Sequence, residues 1–446
     1  MRRPKFKSLR KFEVLEDRWM MAGDISYSSS NHILTINGAG YDDVAQVRFE
    51  GSRVYVDLIA GESGGGTDHH DFDKKISDVS KIVFNGLAGN DTLTVVNNQL
   101  NSGVTLDNVQ LEFHGDNGDD HLFSPLQGGV RTVAFGGFGN DTLQGSRYDD
   151  ILEGGSGDDD LSGGSGNDKY VFSGIIPLGD DAILNEAANV GSDTLDFTNF
   201  GQSVWVVLPN VYNPNNPEYA VTTKSYTAPA DSNLKVRLYD NTAIENVIGT
   251  AYNDYVRGNS RPNYISGRGG EDVIFGAGGD DTLDGGTGSD TYVFNDDEFL
   301  GSNLGTDSIV ERANADSDTL DFACMSYGLT VDLTKFGTNY AVNTANLKLR
   351  LANDTAIENV VGSYYNDKII GNSRDNGIMG IAGNDVITGG AGTDCLQGGE
   401  GDDKLYTDAL DQVYGGMGKD WFDEYYEATP QLTNPRPGRY MDWKVA

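Results

Sequence analysis

The sequence predicts an all-β protein built as a parallel β-solenoid, and three observations carry that prediction. A nine-residue pattern, GGxGxDxUx with U a large apolar residue, runs without gaps through three blocks. The apolar residues come in bursts of strand length, such as "SVWVVL" at 203–208. Acids outnumber bases so far that a compact chain needs bound cations to offset self-repulsion.

The charge balance narrows the function classes first. The 446 residues hold 32 Lys and Arg against 68 Asp and Glu, a net charge of -36, and seven of the bases lie within the first 18 residues. A nucleic-acid surface needs clustered bases to displace counterions, so no nucleic-acid partner is expected. An anionic membrane face is disfavoured for the same reason. With 37% hydrophobic content and 59 glycines the chain leans towards disorder, but 22 tyrosines, 18 phenylalanines and the Val, Ile and Leu bursts provide a core once the charge is neutralised. Two cysteines, Cys324 and Cys395, make no disulfide framework. No window approaches 18 uninterrupted apolar residues, so no membrane span is expected.

The blocks are read in chain order. From 136 come "GGFGNDTLQ", "GSRYDDILE", "GGSGDDDLS" and "GGSGNDKYV". From 249 come "GTAYNDYVR", "GNSRPNYIS", "GRGGEDVIF", "GAGGDDTLD" and "GGTGSDTYV". From 362 come "GSYYNDKII", "GNSRDNGIM", "GIAGNDVIT", "GGAGTDCLQ" and "GGEGDDKLY", then a slipped eight-residue stretch and "GGMGKDWFD" at 415. Glycines at positions 1, 2 and 4 allow φ > 0 and a tight turn, and Asp at position 6 adds a carboxylate to it. Positions 7 to 9 alternate, so only U points inward, as in Leu143, Leu161, Tyr170, Ile274, Leu283 and Leu396. Strands this short must coil and stack, two nonads per coil. Turn then lies over turn eighteen residues on, pairing Asp141 with Asp159 and Asp150 with Asp168, and a shared hard cation offsets their repulsion. Six to eight oxygen ligands suit Ca2+; Zn2+ wants Cys and His, and Mg2+ keeps waters in a rigid octahedron.

These arrays resemble RTX, or haemolysin-type, calcium-binding repeats over 136–171, 249–293 and 362–423. The resemblance implies a right-handed parallel β-roll with several Ca2+ ions between stacked turns. Carried over, the family's metal-binding acid falls on Asp141, Asp150, Asp159, Asp168, Asp254, Asp272, Asp281, Asp290, Asp367, Asp385, Asp394, Asp403 and Asp420. Five nonads depart from the pattern with Tyr148, Tyr252, Arg261, Tyr365 or Arg374 at position 4, where a bulky residue at φ > 0 would be strained. Two of these carry Asn263 and Asn376 at position 6, and the five read as capping rows that leave Asp150, Asp254 and Asp367 the weaker ligands.

The remaining segments follow from the N-terminus. Residues 1–23 read as an export tag: "FEVLEDRWMMAGD" at 12–24 resembles an N-terminal LEDR-type tag of exported bacterial proteins, and there is no ordinary apolar signal core. Residues 24–135 read as a β domain: antiparallel strands to about 80, with "VAQVRFEGSRVYVDL" a hairpin, then wide solenoid coils. "VFNGLAGNDTL", "EFHGDNGDDHL" and "AFGGFGNDTL" share a strand, a glycine turn and an inward Leu, which extends the acid row to Asp91 and Asp120. Residues 172–248 and 294–361 are duplicated β connectors, sharing "SDTLDF" and "TAIEN". The latter reads as a structural cap rather than a catalytic motif. Residues 424–446 read as a cap or tail.

Signatures of catalysis are weak. "GESGG" at 61 lacks the strand-to-helix elbow of a serine nucleophile, and His69, His70 and Asp71 alternate on a predicted strand rather than converging. The expectation is a secreted, extracellular bacterial protein that is not an enzyme, folds on Ca2+, and serves an adhesive, matrix or cell-surface role with a polysaccharide or cell surface as partner. The alternatives are an accessory module of, or a divergent, carbohydrate-active enzyme of the polysaccharide epimerase or lyase type, or a haemolysin- or toxin-related fragment.

Overall fold

The computed structural model describes residues 23–423 apart from 62–66, 127, 175–177, 185–190, 210–218, 223–233, 239–243, 297–302, 312–315 and 354–355. Residues 1–22 of the expected tag, the 424–446 tail and Ser63 of "GESGG" lie outside the described residues. Among the described residues there is no α-helix, and one 3-10 turn, Ile76–Asp78, interrupts the strands. The chain is an all-β parallel solenoid, as its repeats predict. It divides into two compact units, Met1–Gly270 and Glu271–Ala446.

In the first unit one sheet stacks Ile33–Asn37, Lys81–Asn85, Gln110–Asn117, Arg131–Phe138, Ile151–Ser156, Lys169–Val171, Asp193–Asp196, Ile244–Ile248 and Tyr264–Gly269, each parallel to the next. The facing sheet runs Val44–Gly51, Thr92–Leu100, His121–Phe123, Thr142–Gln144, Asp160–Ser162, Gly179–Ile183 and Leu234–Leu238, again parallel. Residues 33–49 are therefore already the first coil. The expected hairpin does form, Val44–Gly51 against Arg53–Gly61, and Thr67–Lys75 adds a further antiparallel strand at its edge. The connector inserts Tyr219–Thr222 antiparallel between Leu234–Leu238 and Trp205–Val207, after which parallel stacking resumes with Tyr255–Arg257.

The second unit repeats the plan. Val273–Phe275, Thr291–Asn295, Thr319–Cys324, Asn359–Val361, Gly377–Ala382, Cys395–Glu400 and Gln412–Met417 form one parallel sheet. In the other, Thr282–Thr287, Gly305–Ile309 and Leu347–Leu351 are parallel, Val342–Asn343 is inserted antiparallel, and Thr330–Asp332, Lys368–Ile370, Val386–Thr388, Lys404–Tyr406 and Trp421–Phe422 continue in parallel.

The U residues are in register from coil to coil and fill the core. Leu122, Leu143, Leu161 and Ile183 are successive partners and all are buried. Each such side chain contributes about 1.5–3 kcal/mol of burial. Where the residue is aromatic, rings stack instead: Phe84 and Phe113 lie 5.4 Å apart and parallel within 3°.

The turns correct one expectation. Left-handed backbone occurs at positions 2 and 4, as in Gly155 (φ 111°) and Gly157 (φ 138°), whereas position 1 has no positive φ. Glycine is required at position 1 for space: a Cβ on Gly136 would lie 2.1 Å from Asp141 Oδ2. The five bulky position-4 residues are not strained either, since none has positive φ. In those turns the position-2 side chain accepts the position-4 N–H, Ser146 from Tyr148 at 3.2 Å, Thr250 from Tyr252 at 3.0 Å and Asn259 from Arg261 at 3.0 Å. Ser363 and Asn372 do the same for Tyr365 and Arg374. A side-chain turn thus replaces the glycine turn.

Candidate metal centre

Stacking places the turn acids in rows. In the first unit the N–H of Asp43 donates to Asp91 Oδ1 at 2.7 Å, Asp91 to Asp120 at 2.7 Å, Asp120 to Asp141 at 2.8 Å, Asp141 to Asp159 at 2.8 Å and Asp159 to Asp181 at 3.1 Å. A second row runs from Thr132 N–H through Asp150, Asp168 and Asp193 to Glu245. Asp254 accepts from Val204 N–H at 2.8 Å. In the second unit one row joins Asp272, Asp290, Asp318 and Glu358, and Asn376, Asp394 and Asp411 follow. Asp281 donates to Asp307, and a further row leads from Leu329 N–H through Asp367, Asp385 and Asp403 to Asp420.

One carboxylate oxygen of each accepting acid is thereby engaged, and the other decides the chemistry. Oδ2 of Asp91, Asp120, Asp141, Asp159 and Asp168, and of Asp290, Asp318, Asp385, Asp394 and Asp403, is buried with no hydrogen-bond partner. Burial pushes Asp91 and Asp141 up to about 8, Asp159, Asp290, Asp318 and Asp385 to about 7, and Asp120, Asp168 and Asp394 to about 6. A buried oxygen without a donor costs free energy unless a proton or a cation meets it. Rows of such oxygens fit a hard, oxygen-seeking cation; the two thiols, Cys324 and Cys395, are exposed.

The side-chain turns behave differently. Asp150 Oδ2 accepts from Ser146 N–H at 2.5 Å and Ser146 Oγ at 3.0 Å, while Thr132 N–H takes Oδ1. Asp254 is satisfied by the Thr250 N–H and hydroxyl, and Asp367 by those of Ser363. Their oxygens are met by the protein itself. Arg261 and Arg374 reach Glu245 at 2.5 Å and Glu358 at 2.6 Å, so the "TAIEN" glutamates meet a cation that the chain supplies.

Sequence reasoning missed Asp43, Asp181, Asp193, Asp307, Asp318, Asp411, Glu245 and Glu358 as row members. Asp43 was legible, because "GAGYDDVAQ" at 38 has the form of "GSRYDDILE" at 145. Asp411 was hidden by the eight-residue slip. A parallel, exposed ladder at position 5 was also missed: Asp119 N–H donates to Asn90, Asn140 to Asp119 and Asp158 to Asn140, opposite in sense to the buried rows. Among the described residues no histidine belongs to a metal-ligating cluster. His114 pairs with Glu112 at 2.9 Å and stacks on Phe135, and His121 stacks on Phe123.

Residues 135–170, 257–292 and 370–405 each match the family model of the RTX calcium-binding nonapeptide repeat in four copies. No curated protein matches the chain. Over those three stretches the chain is similar to RTX calcium-binding repeats, which supports calcium binding by this protein.

Proposed function

We propose that this protein is an exported calcium-responsive scaffold whose coils close as Ca2+ fills the turn rows outside the cell, and that it serves an adhesive, matrix or cell-surface role. The observation that supports the reading best is the set of buried Asp Oδ2 atoms left without a donor by the glycine turns. With a net charge of -36 the chain repels itself where free calcium is scarce, and extracellular modules of this kind take up Ca2+ with Kd on the order of 10⁻⁴ to 10⁻³ M. The ions that fit are held by Asp91, Asp120, Asp141, Asp159 and Asp168 in the first unit and by Asp272, Asp281, Asp290, Asp385, Asp394, Asp403 and Asp420 in the second. Asp150, Asp254 and Asp367 act in this reading as metal-independent caps. Exposed tyrosines at the turns, Tyr252, Tyr364 and Tyr365, offer ring faces to a polysaccharide. A Ca2+ titration by far-UV circular dichroism, with EGTA reversal and a Mg2+ control, tests the switch. Reversible gain of β signal with Ca2+ alone is expected; full β signal in EGTA would refute it.

A further inference from the structure

Asp290 belongs to the last turn of the second block, while Glu311 and Asp318 come from the connector that follows. Nothing in the nonapeptide pattern assigns the connector pair a role. The three side chains are each 1% exposed, and one carboxylate oxygen from each lies within 4.8 Å of the other two. Glu311 is held in place from one side: its Oε1 accepts from Gly285 N–H at 2.9 Å, Gly286 N–H at 3.2 Å and the Tyr292 hydroxyl. Asp318 Oδ1 accepts from Asp290 N–H at 2.9 Å. Asp290 Oδ2 and Asp318 Oδ2 are buried and meet no donor.

Acids stand around both aspartates, Glu311, Asp316 and Asp284 raising Asp290 and Glu311, Asp290 and Glu358 raising Asp318. Arg374 is paired with Glu358. Three buried carboxylates with an oxygen of each within 4.8 Å of the other two, and two of them with an unmet oxygen, have the donor set of a hard divalent cation.

We propose that Asp290, Glu311 and Asp318 hold a divalent cation of the calcium class, a site in which the connector, through Glu311, completes what the repeat turn begins. Its function is to fasten connector to block, so that the ion ties residues separated by a non-repetitive segment. The proposal rests on the calcium reading above for the choice of ion, and its test separates the two. In Glu311→Gln the new amide oxygen still accepts from Gly285 and Gly286, so the local shape survives while a charge is lost.

Calcium bound per full-length chain is counted by isothermal titration calorimetry and equilibrium dialysis, for the wild type, Glu311→Gln, Asp318→Asn, and the exposed control Glu400→Gln. One ion fewer in each of the first two variants, a shallower rise of Tm with calcium, and an unchanged control are expected. A wild-type chain that binds calcium, with Glu311→Gln matching it in stoichiometry and in the calcium dependence of Tm, overturns this site and leaves the turn rows standing. A wild-type chain that takes up no calcium overturns the proposed function itself.

Discussion

The two kinds of turn make a prediction that separates metal recruitment from ordinary hydrogen bonding. Asp141 and Asp150 occupy the same position in neighbouring nonads and are equally buried, yet Asp141 Oδ2 has no donor and Asp150 Oδ2 has two. In Asp141→Asn the amide oxygen keeps the Asp120 N–H and the new NH2 faces no donor, so only the charge and the cation are lost. Linkage then requires at least one ion fewer on folding, a fall in the calcium dependence of stability of about 1.4 kcal/mol per tenfold change in Ca2+ for each ion. In Asp150→Asn an NH2 must face either the Ser146 N–H, 2.5 Å away, or the Thr132 N–H, 2.6 Å away. That donor-to-donor conflict costs about 1–3 kcal/mol at every calcium concentration. Thermal unfolding followed by circular dichroism from 0.1 to 10 mM Ca2+ reads both quantities. The expected result is a shallower slope of Tm against log calcium for Asp141→Asn and a parallel downward offset for Asp150→Asn. Equal loss of slope in both variants would refute the idea that the unmet oxygen recruits the ion.

Two further outcomes follow from the same geometry. Burial raises Asp91 and Asp141 to about 8 and Asp181 to about 9 from an ordinary value near 3.8, so the metal-free fold binds more protons than the unfolded chain. The stability these three groups contribute is fully present below about pH 4 and is lost as pH rises through about 8 to 9; β signal in EGTA should therefore grow on acidification from pH 8.5 to 5, and a signal growing with pH would contradict the burial argument. Alanine at Gly154 places Cβ 2.1 Å from Asp159 Oδ2 and should lower the urea midpoint in calcium by about 1–3 kcal/mol of stability, whereas Gly40, with nothing within 4 Å, should tolerate alanine within about 0.5 kcal/mol.

Much of this architecture is legible in the residues because a repeat couples local and global structure. A nine-residue period with one inward apolar position dictates two strands per coil, and Leu143, Leu161 and Tyr170 fall inside as that period requires. Row partners eighteen residues apart follow from the same arithmetic, as Asp141 with Asp159 and Asp150 with Asp168 show. Where the coil length varies, the period no longer reports the partner. Asp193 meets Glu245 fifty-two residues on, and Asp318 meets Glu358 forty residues on, because the inserted antiparallel strands return the chain to the stack at distances that no spacing rule gives.

The sequence by itself determined the solenoid, its inward residues and the chemistry of a row of turn carboxylates, since each depends on neighbours within one nonad or one coil. Only the tertiary structure decided which carboxylates keep a buried oxygen without a donor. That distinction rests on whether a second donor reaches Oδ2: Ser146 reaches Asp150, no donor reaches Asp141, and Glu311 joins Asp290 and Asp318 from a segment with no repeat. A carboxylate carries the same charge in every nonad, but the free energy of burying it is set by the groups that folding brings to its far oxygen.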